Sequence, residues 1–165
     1  MKEILLTQNK VALVDAEDFK SLNEYKWCAH KHRNTFYAVR NKQKKGKSKT
    51  ILMHREIMLA NNNVEVDHKN LNGLHNYRKN LRLCTASQNR SNAKAHKDNI
   101  LKTKGVYWSK MARKFMARIQ IQGKEIYLGL FTVLADADQA YRVAELKYFK
   151  EFAREETQNL YKEKI

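Results

Sequence analysis

The sequence predicts an α+β chain: a small β-rich N-terminal module, a strand–loop–strand–helix core, then a three-stranded antiparallel sheet plus helix. Three observations carry that prediction. Short β-favouring runs separated by polar breaks fill residues 1–40. A strand-like run ending in Asp67-His68 leads through an asparagine-rich stretch to a second run and a helix-opening Thr85-x-x-Gln88. Strict apolar–polar alternation from Phe115 to Ile121, followed by Gln122-Gly123, marks a hairpin. The parts run 1–50, 51–98 and 105–155, with 99–104 as linker and 156–165 as a tail.

Charge narrows the partner. The 165 residues include 33 Lys and Arg against 17 Asp and Glu, a net charge of +16. A polyanion is the expected partner, the alternatives being a merely soluble basic protein or one held on an anionic membrane face. No uncharged apolar run is long enough to span a bilayer. Met1 to Val14 mixes Lys2, Glu3 and Lys10 among short apolar groups, so no secretory leader is read and the expectation is a cytoplasmic, intracellular protein. Cys28 and Cys84 stand far apart without a C-x-x-C, which excludes a four-thiolate zinc site. Cys84 reads as a small core residue.

In chain order, Ile4-Leu5-Leu6, Val11 to Val14 and Phe36 to Val39 are the candidate strands of the first module. Asp15 to Phe19 opens a short helix with its acids at the favourable N-terminal end. Trp27 and Tyr37 are expected in the core. Arg40 to Lys49 carries six basic residues and no acid; it reads as a hairpin tip lying along phosphates, or as a solvated loop. Met53, Ile57 and Ala60 recur at helical spacing, predicting a helix over 51–60 with His54 off its buried stripe. His54 is then a structural or phosphate-contacting residue, and Asn61-Asn62-Asn63 ends the helix.

Val64 to His68 is a predicted strand, and Leu81 to Cys84 the strand that returns. Between them, 70–80 is rich in asparagine and poor in apolar residues, so it must be a loop shaped by side-chain-to-backbone hydrogen bonds. Thr85-x-x-Gln88 opens a helix through about His96, with Asn89 in its second turn and Asn92 and His96 on about the same face. An adjacent Asp and His divide hydrolytic labour well: a carboxylate holds a hard cation, and an imidazole takes a proton near neutral pH.

Asn80 follows His68 by twelve positions and Asn89 by twenty-one. With Val66-Asp67-His68, Asn80-Leu81-Arg82 and Thr85 to Asn89, the run from Met53 to Asn92 resembles the HNH nucleases of phage and intron-type homing endonucleases. The last letter of the signature is Asn here, a variant those enzymes also use. The resemblance implies a ββα-metal core that hydrolyses phosphodiester bonds. In it His68 acts as general base, Asp67 and Asn89 bind one divalent ion, Mg²⁺ or Mn²⁺, and Asn80 holds the His-bearing loop and helps fix its ring. His75 and His96 compete as a base or third ligand.

After Gly105 the alternation places Phe115, Ala117, Ile119 and Ile121 on one strand face and Met116, Arg118 and Gln120 on the other. Ile126, Leu128 and Leu130 form the matching apolar face of the next strand. Ala137, Ala140, Tyr141, Ala144 and Tyr148 mark an amphipathic helix. Gly105-Val106-Tyr107-Trp108, Ile126 to Phe131 and that alanine-rich helix resemble an AP2 DNA-binding domain over about residues 102–154. That resemblance implies a sheet docked in the major groove of double-stranded DNA. Tyr107, Trp108, Lys110, Lys114, Arg118, Gln120, Lys124 and Tyr127 are the expected contacts. Glu125 stands where plant members carry Arg, so target preference does not transfer.

The combined expectation is a site-directed DNA endonuclease, nicking or cutting both strands, acting as a monomer or weak dimer away from membranes. The competing class is a catalytically inactive DNA-binding regulator; an RNA-directed nuclease is a weaker third.

Overall fold

The computed structural model describes residues 1–44, 46–96 and 98–162. Its α+β architecture comprises several small antiparallel sheets and five helices among the described residues. It divides into two compact units, Met1–Thr85 and Ala86–Ile165.

In the first unit β1 (Lys2–Leu5) and β2 (Val11–Val14) form a hairpin turned by Gln8 and Asn9 at φ 60° and 51°. Helix α1 (Ala16–Asn23) follows. Strands β3 (Cys28–His32), β4 (Thr35–Lys44) and β5 (Lys47–Leu52) make a meander. Helix α2 (Met53–Ile57) then leads to the pair β6 (Glu65–His68) and β7 (Leu81–Cys84). One apolar core joins all of these, with Ile4, Val14, Trp27, Ala38, Met53, Val66 and Leu81 in a single cluster. Residues 1–50 and 51–85 therefore share a core. Trp27 is buried with its indole N–H donating to the Leu22 carbonyl at 2.8 Å.

Several local expectations shift. The 51–60 helix is shorter, because Ile51 and Leu52 finish β5 opposite Arg40 and Val39 and the chain turns at Leu59 with φ 48°. Arg40 to Lys49 is not a loop: apart from Lys45, which lies outside the described residues, most of it forms the outer arms of β4 and β5. His54, the second residue of α2, is buried and not off the packed face.

In the second unit α3 (Ala86–Asn92) stops short of His96. Strands β8 (Val106–Ser109), β9 (Lys114–Ile121) and β10 (Lys124–Phe131) form an antiparallel sheet with β9 central, packed against the long helix α4 (Leu134–Phe149). The β9–β10 turn uses Gln122 and Gly123 at φ 49° and 84°, the paired left-handed geometry of a two-residue hairpin loop. Gly105 is needed at φ 68°, where a Cβ would come within 2.2 Å of the Tyr141 ring.

A bulge between Tyr127 and Gly129 interrupts the alternation of β10. Phe131 packs on the core and Leu130 is 41% exposed, the reverse of the expected face, because one extra residue flips every later side chain. On α4 the last inward residues are Glu145 and Phe149, and Tyr148 faces solvent. Helix α5 (Glu155–Lys162) occupies most of the expected tail; 163–165 lie outside the described residues. Arg154, just before α5, donates to the fully buried Glu145 at 3.0 Å, and the Thr157 hydroxyl adds a bond at 2.8 Å. Among the described residues no helix is long and apolar enough to cross a membrane.

Candidate active site and nucleic-acid face

Asp67 and His68 are the last two residues of β6, and both are buried. Register places Asp67 directly opposite Arg82 on β7, and the guanidinium donates to Asp67 Oδ2 from Nε at 2.8 Å and Nη2 at 2.6 Å. This fork holds the carboxylate in one orientation and offsets the cost of burying it.

The His68 ring is held by a residue that sequence reasoning missed. Asn76, fully buried, accepts from His68 Nε2 at 3.0 Å through its Oδ1. The same amide donates from Nδ2 to Met53 Sδ at 3.5 Å and to the Leu74 carbonyl at 3.4 Å, which turns its oxygen toward the ring. The proton therefore sits on Nε2 and the lone pair on Nδ1. Burial lowers the His68 pKa below its ordinary 6.5, against the raising effects of the Asn76 bond and the Asp67 charge.

Two more aromatic groups surround the His68 ring. The His54 ring meets His68 edge-on at 4.9 Å, and Tyr37 lies 5.2 Å from His54 and 5.8 Å from His68. Burial, with the charges of His68 and Arg55, pushes the His54 pKa down to about 3. Among the described residues its Nδ1 has no hydrogen-bond partner. Arg55, next in sequence, donates to the carbonyls of Val64 and Asn61 at 2.8 and 2.5 Å and so closes the path from α2 into β6. Burial also raises the Tyr37 hydroxyl and pushes the Cys84 thiol up to about 12, leaving Cys84 an inert core residue.

The asparagine loop has the internal bonding its composition demands. Asn80, buried, donates to Asn70 Oδ1 at 3.0 Å and the His75 carbonyl at 2.8 Å, while its own Oδ1 accepts from the Asn70 N–H at 3.1 Å. Asn80 thus ties both ends of the loop, and Asn76 rather than Asn80 orients the ring. The loop also docks on β2: the Leu13 N–H donates to Leu74 O at 2.9 Å, and the Asn76 N–H to Leu13 O at 2.7 Å. Gly73 lies against β4, where a Cβ would come within 2.5 Å of the Phe36 carbonyl and the Tyr37 ring.

His75 has both ring nitrogens close to loop amides, 2.7 Å from Asn70 Nδ2 and 3.0 Å from Asn72 Nδ2, which makes it a loop member. His96 lies beyond the end of α3, exposed, with Nδ1 3.2 Å from Asp98. Asn89 is carried by α3 in the second unit. The end of that helix is closed by Lys104, whose Nζ donates to the carbonyls of Arg90, Ser91 and Ala93 at 2.5, 2.6 and 2.9 Å. Burial lowers the Lys104 pKa to about 8.

As donors for a divalent ion, a buried Asp67 carboxylate and an Asn89 amide oxygen are hard oxygen ligands of the type Mg²⁺ takes. Elsewhere in the first unit Asp15, Glu17 and Asp18 cluster within 4.8 Å. Arg78 already binds that cluster, its guanidinium reaching Asp18 at 2.6 Å and Glu17 at 2.8 Å.

On the sheet of the second unit, the pleat puts Tyr107, Lys114, Arg118, Gln120 and Tyr127 on the face away from α4. Tyr107 and Tyr127 are more than half exposed. Arg118 does not extend freely: it pairs with Glu125 at 2.7 Å and lies on Met116 Sδ at 3.1 Å. Trp108 belongs to the opposite face, edge-on to Phe115 at 4.8 Å, and Lys124 shares that parity. Lys110 is exposed in the β8–β9 turn. No protein-family model, curated protein or solved structure matches this chain.

Proposed function

We propose that the chain is a metal-dependent DNA endonuclease of the HNH homing type, with a ββα-metal site and an AP2-like sheet as its duplex reader. The observation that carries this reading is the buried pair closing β6, Asp67 gripped by Arg82 beside His68 gripped by Asn76. Structural roles alone do not call for a carboxylate and an imidazole side by side, each buried and each fixed by its own partner. Further support comes from the order β6, loop, β7, α3 and from the net charge of +16.

Asp67 would be a ligand of one Mg²⁺ or Mn²⁺. When bound, the ion supplies positive charge at the scissile phosphate and the departing 3′-oxygen. The chain's own residues do the rest. His68 accepts at Nδ1 the proton of the water that attacks phosphorus, and burial keeps the imidazole neutral at pH 7. Asn76 keeps the ring proton on Nε2, so Nδ1 stays the basic atom. Arg82 holds the Asp67 carboxylate in place, and Asn80 keeps the loop closed behind His68. The tyrosine-bearing face of β8–β10 would lie in the major groove.

Supercoiled plasmid incubated with Mg²⁺ or with chelator, resolving nicked from linear product, tests the reading. Cleavage should need the metal, and His68→Ala should lose about 10²–10⁴ in rate while keeping its affinity for DNA. Binding with no metal-dependent cleavage would assign the chain to the inactive regulators.

A further inference from the structure

The outer half of the β4–β5 ribbon has an asymmetry that folding does not require. Residues 41–43 and 46–50 are all exposed, so neither face of the ribbon covers a core. Register pairs Lys42 directly with Lys49, and Lys47 lies two residues before Lys49, on the same face. The other face carries Asn41, Gln43, Ser48 and Thr50, all uncharged, with the Thr50 hydroxyl donating to Asn41 Oδ1 at 3.2 Å. Like charges directly across a strand pair destabilise it. A surface needed only for solubility would scatter its lysines over both faces and intersperse acids. Arg40, at the base of the ribbon, is already engaged by Glu56 at 2.8 Å.

We propose that this ribbon is a nucleic-acid arm, its Lys42–Lys47–Lys49 face laid on the phosphates of duplex DNA independently of sequence. The proposal deepens the endonuclease reading and rests on its choice of DNA. A two-stranded ribbon fits the major groove, and same-face lysines about 6.8 Å apart along a strand can each meet a phosphate. The neutral face leaves the arm attractive to a polyanion on one side only. Bound phosphates also relieve the repulsion between Lys42 and Lys49, so the arm is stiffer on DNA than off it.

The test is binding of a 30-base-pair duplex across a NaCl series without divalent metal, so that cleavage plays no part. For Lys42→Gln/Lys47→Gln/Lys49→Gln the slope of log affinity against log salt should flatten by up to about 2.7, roughly 0.9 per lost phosphate contact. Affinity should fall by the same factor on two unrelated sequences. Asn41→Ala/Ser48→Ala, on the neutral face, should leave the slope unchanged. Lys47→Gln alone, expected to remove about 0.9, keeps the test decisive if the triple variant folds poorly. If the wild type binds DNA and the triple variant keeps the wild-type slope, the arm is overturned and the endonuclease is left standing. Absence of any duplex binding by the wild type overturns both. Loss of binding to phosphatidylserine vesicles, with DNA binding intact, would reassign the face to membranes and overturn the proposal.

Discussion

The Asn76 side-chain oxygen accepts from His68 Nε2 at 3.0 Å in a fully buried setting, which fixes both the orientation and the tautomer of the proposed base. Replacing Asn76 by Ala removes this bond from the His68 ring. We expect kcat for plasmid nicking to fall about 10–100-fold, the usual effect of losing a partner that orients a catalytic imidazole, with little change in KM. Asn76→Asp tests the same bond differently, since a carboxylate would draw the ring toward the doubly protonated form. Wild-type kcat in Asn76→Ala would dismiss the orienting role.

Arg82→Ala leaves the buried Asp67 carboxylate without its guanidinium. Stability should drop by about 3–5 kcal/mol, measured as a shift of the urea midpoint at constant m-value. Arg82→Lys keeps the charge but not the two-pronged geometry and should fall between. A loss below about 1 kcal/mol would mean that Asp67 is well compensated by other groups.

Acid should weaken the first unit through His54. Its folded pKa of about 3 lies below the ordinary 6.5, so the unfolded chain binds the proton more readily. Stability from the neutral ring is complete above about pH 6.5 and is lost as pH falls toward 3, by about 1.4 kcal/mol per unit. His68, also lowered, adds loss of the same sign. Urea midpoints at pH 7, 5 and 4 should converge less steeply in His54→Leu, and equal slopes in variant and wild type would remove His54 from the account.

Gly73→Ala places a methyl 2.5 Å from the Phe36 carbonyl and the Tyr37 ring. The loop must move off β4, at a cost of about 1–3 kcal/mol in thermal or urea unfolding. Because that loop carries Asn76, nicking should fall further than stability alone explains.

Glu125 neutralises Arg118 across 2.7 Å on the proposed reading face. Glu125→Gln should release the guanidinium and tighten duplex binding, while Arg118→Ala should weaken it by about 1–3 kcal/mol if Arg118 reads a base. Anisotropy titrations on specific and unrelated duplexes separate base reading from phosphate contact. Indifference of both variants would take Arg118 out of the interface.

Local pattern alone made much of this chain legible. The period-two alternation of β9, the Gln122-Gly123 turn, the strand runs flanking 70–80 and the self-bonded asparagine loop all follow from neighbours in sequence, because pleat, turn and side-chain-to-backbone bonds are short-range effects. Adjacent Asp67 and His68 likewise announced themselves as a pair of chemical groups. Tertiary structure alone decided which residues hold them. Asn76 could be singled out from the loop's three other asparagines only once the loop had docked on β2 and β4, and His54 came to face His68 only because β5 ran on through Leu52 and set the phase of α2. The bulge after Tyr127 and the pairing of Arg118 with Glu125 depend on contacts between strands, which spacing along one strand does not encode.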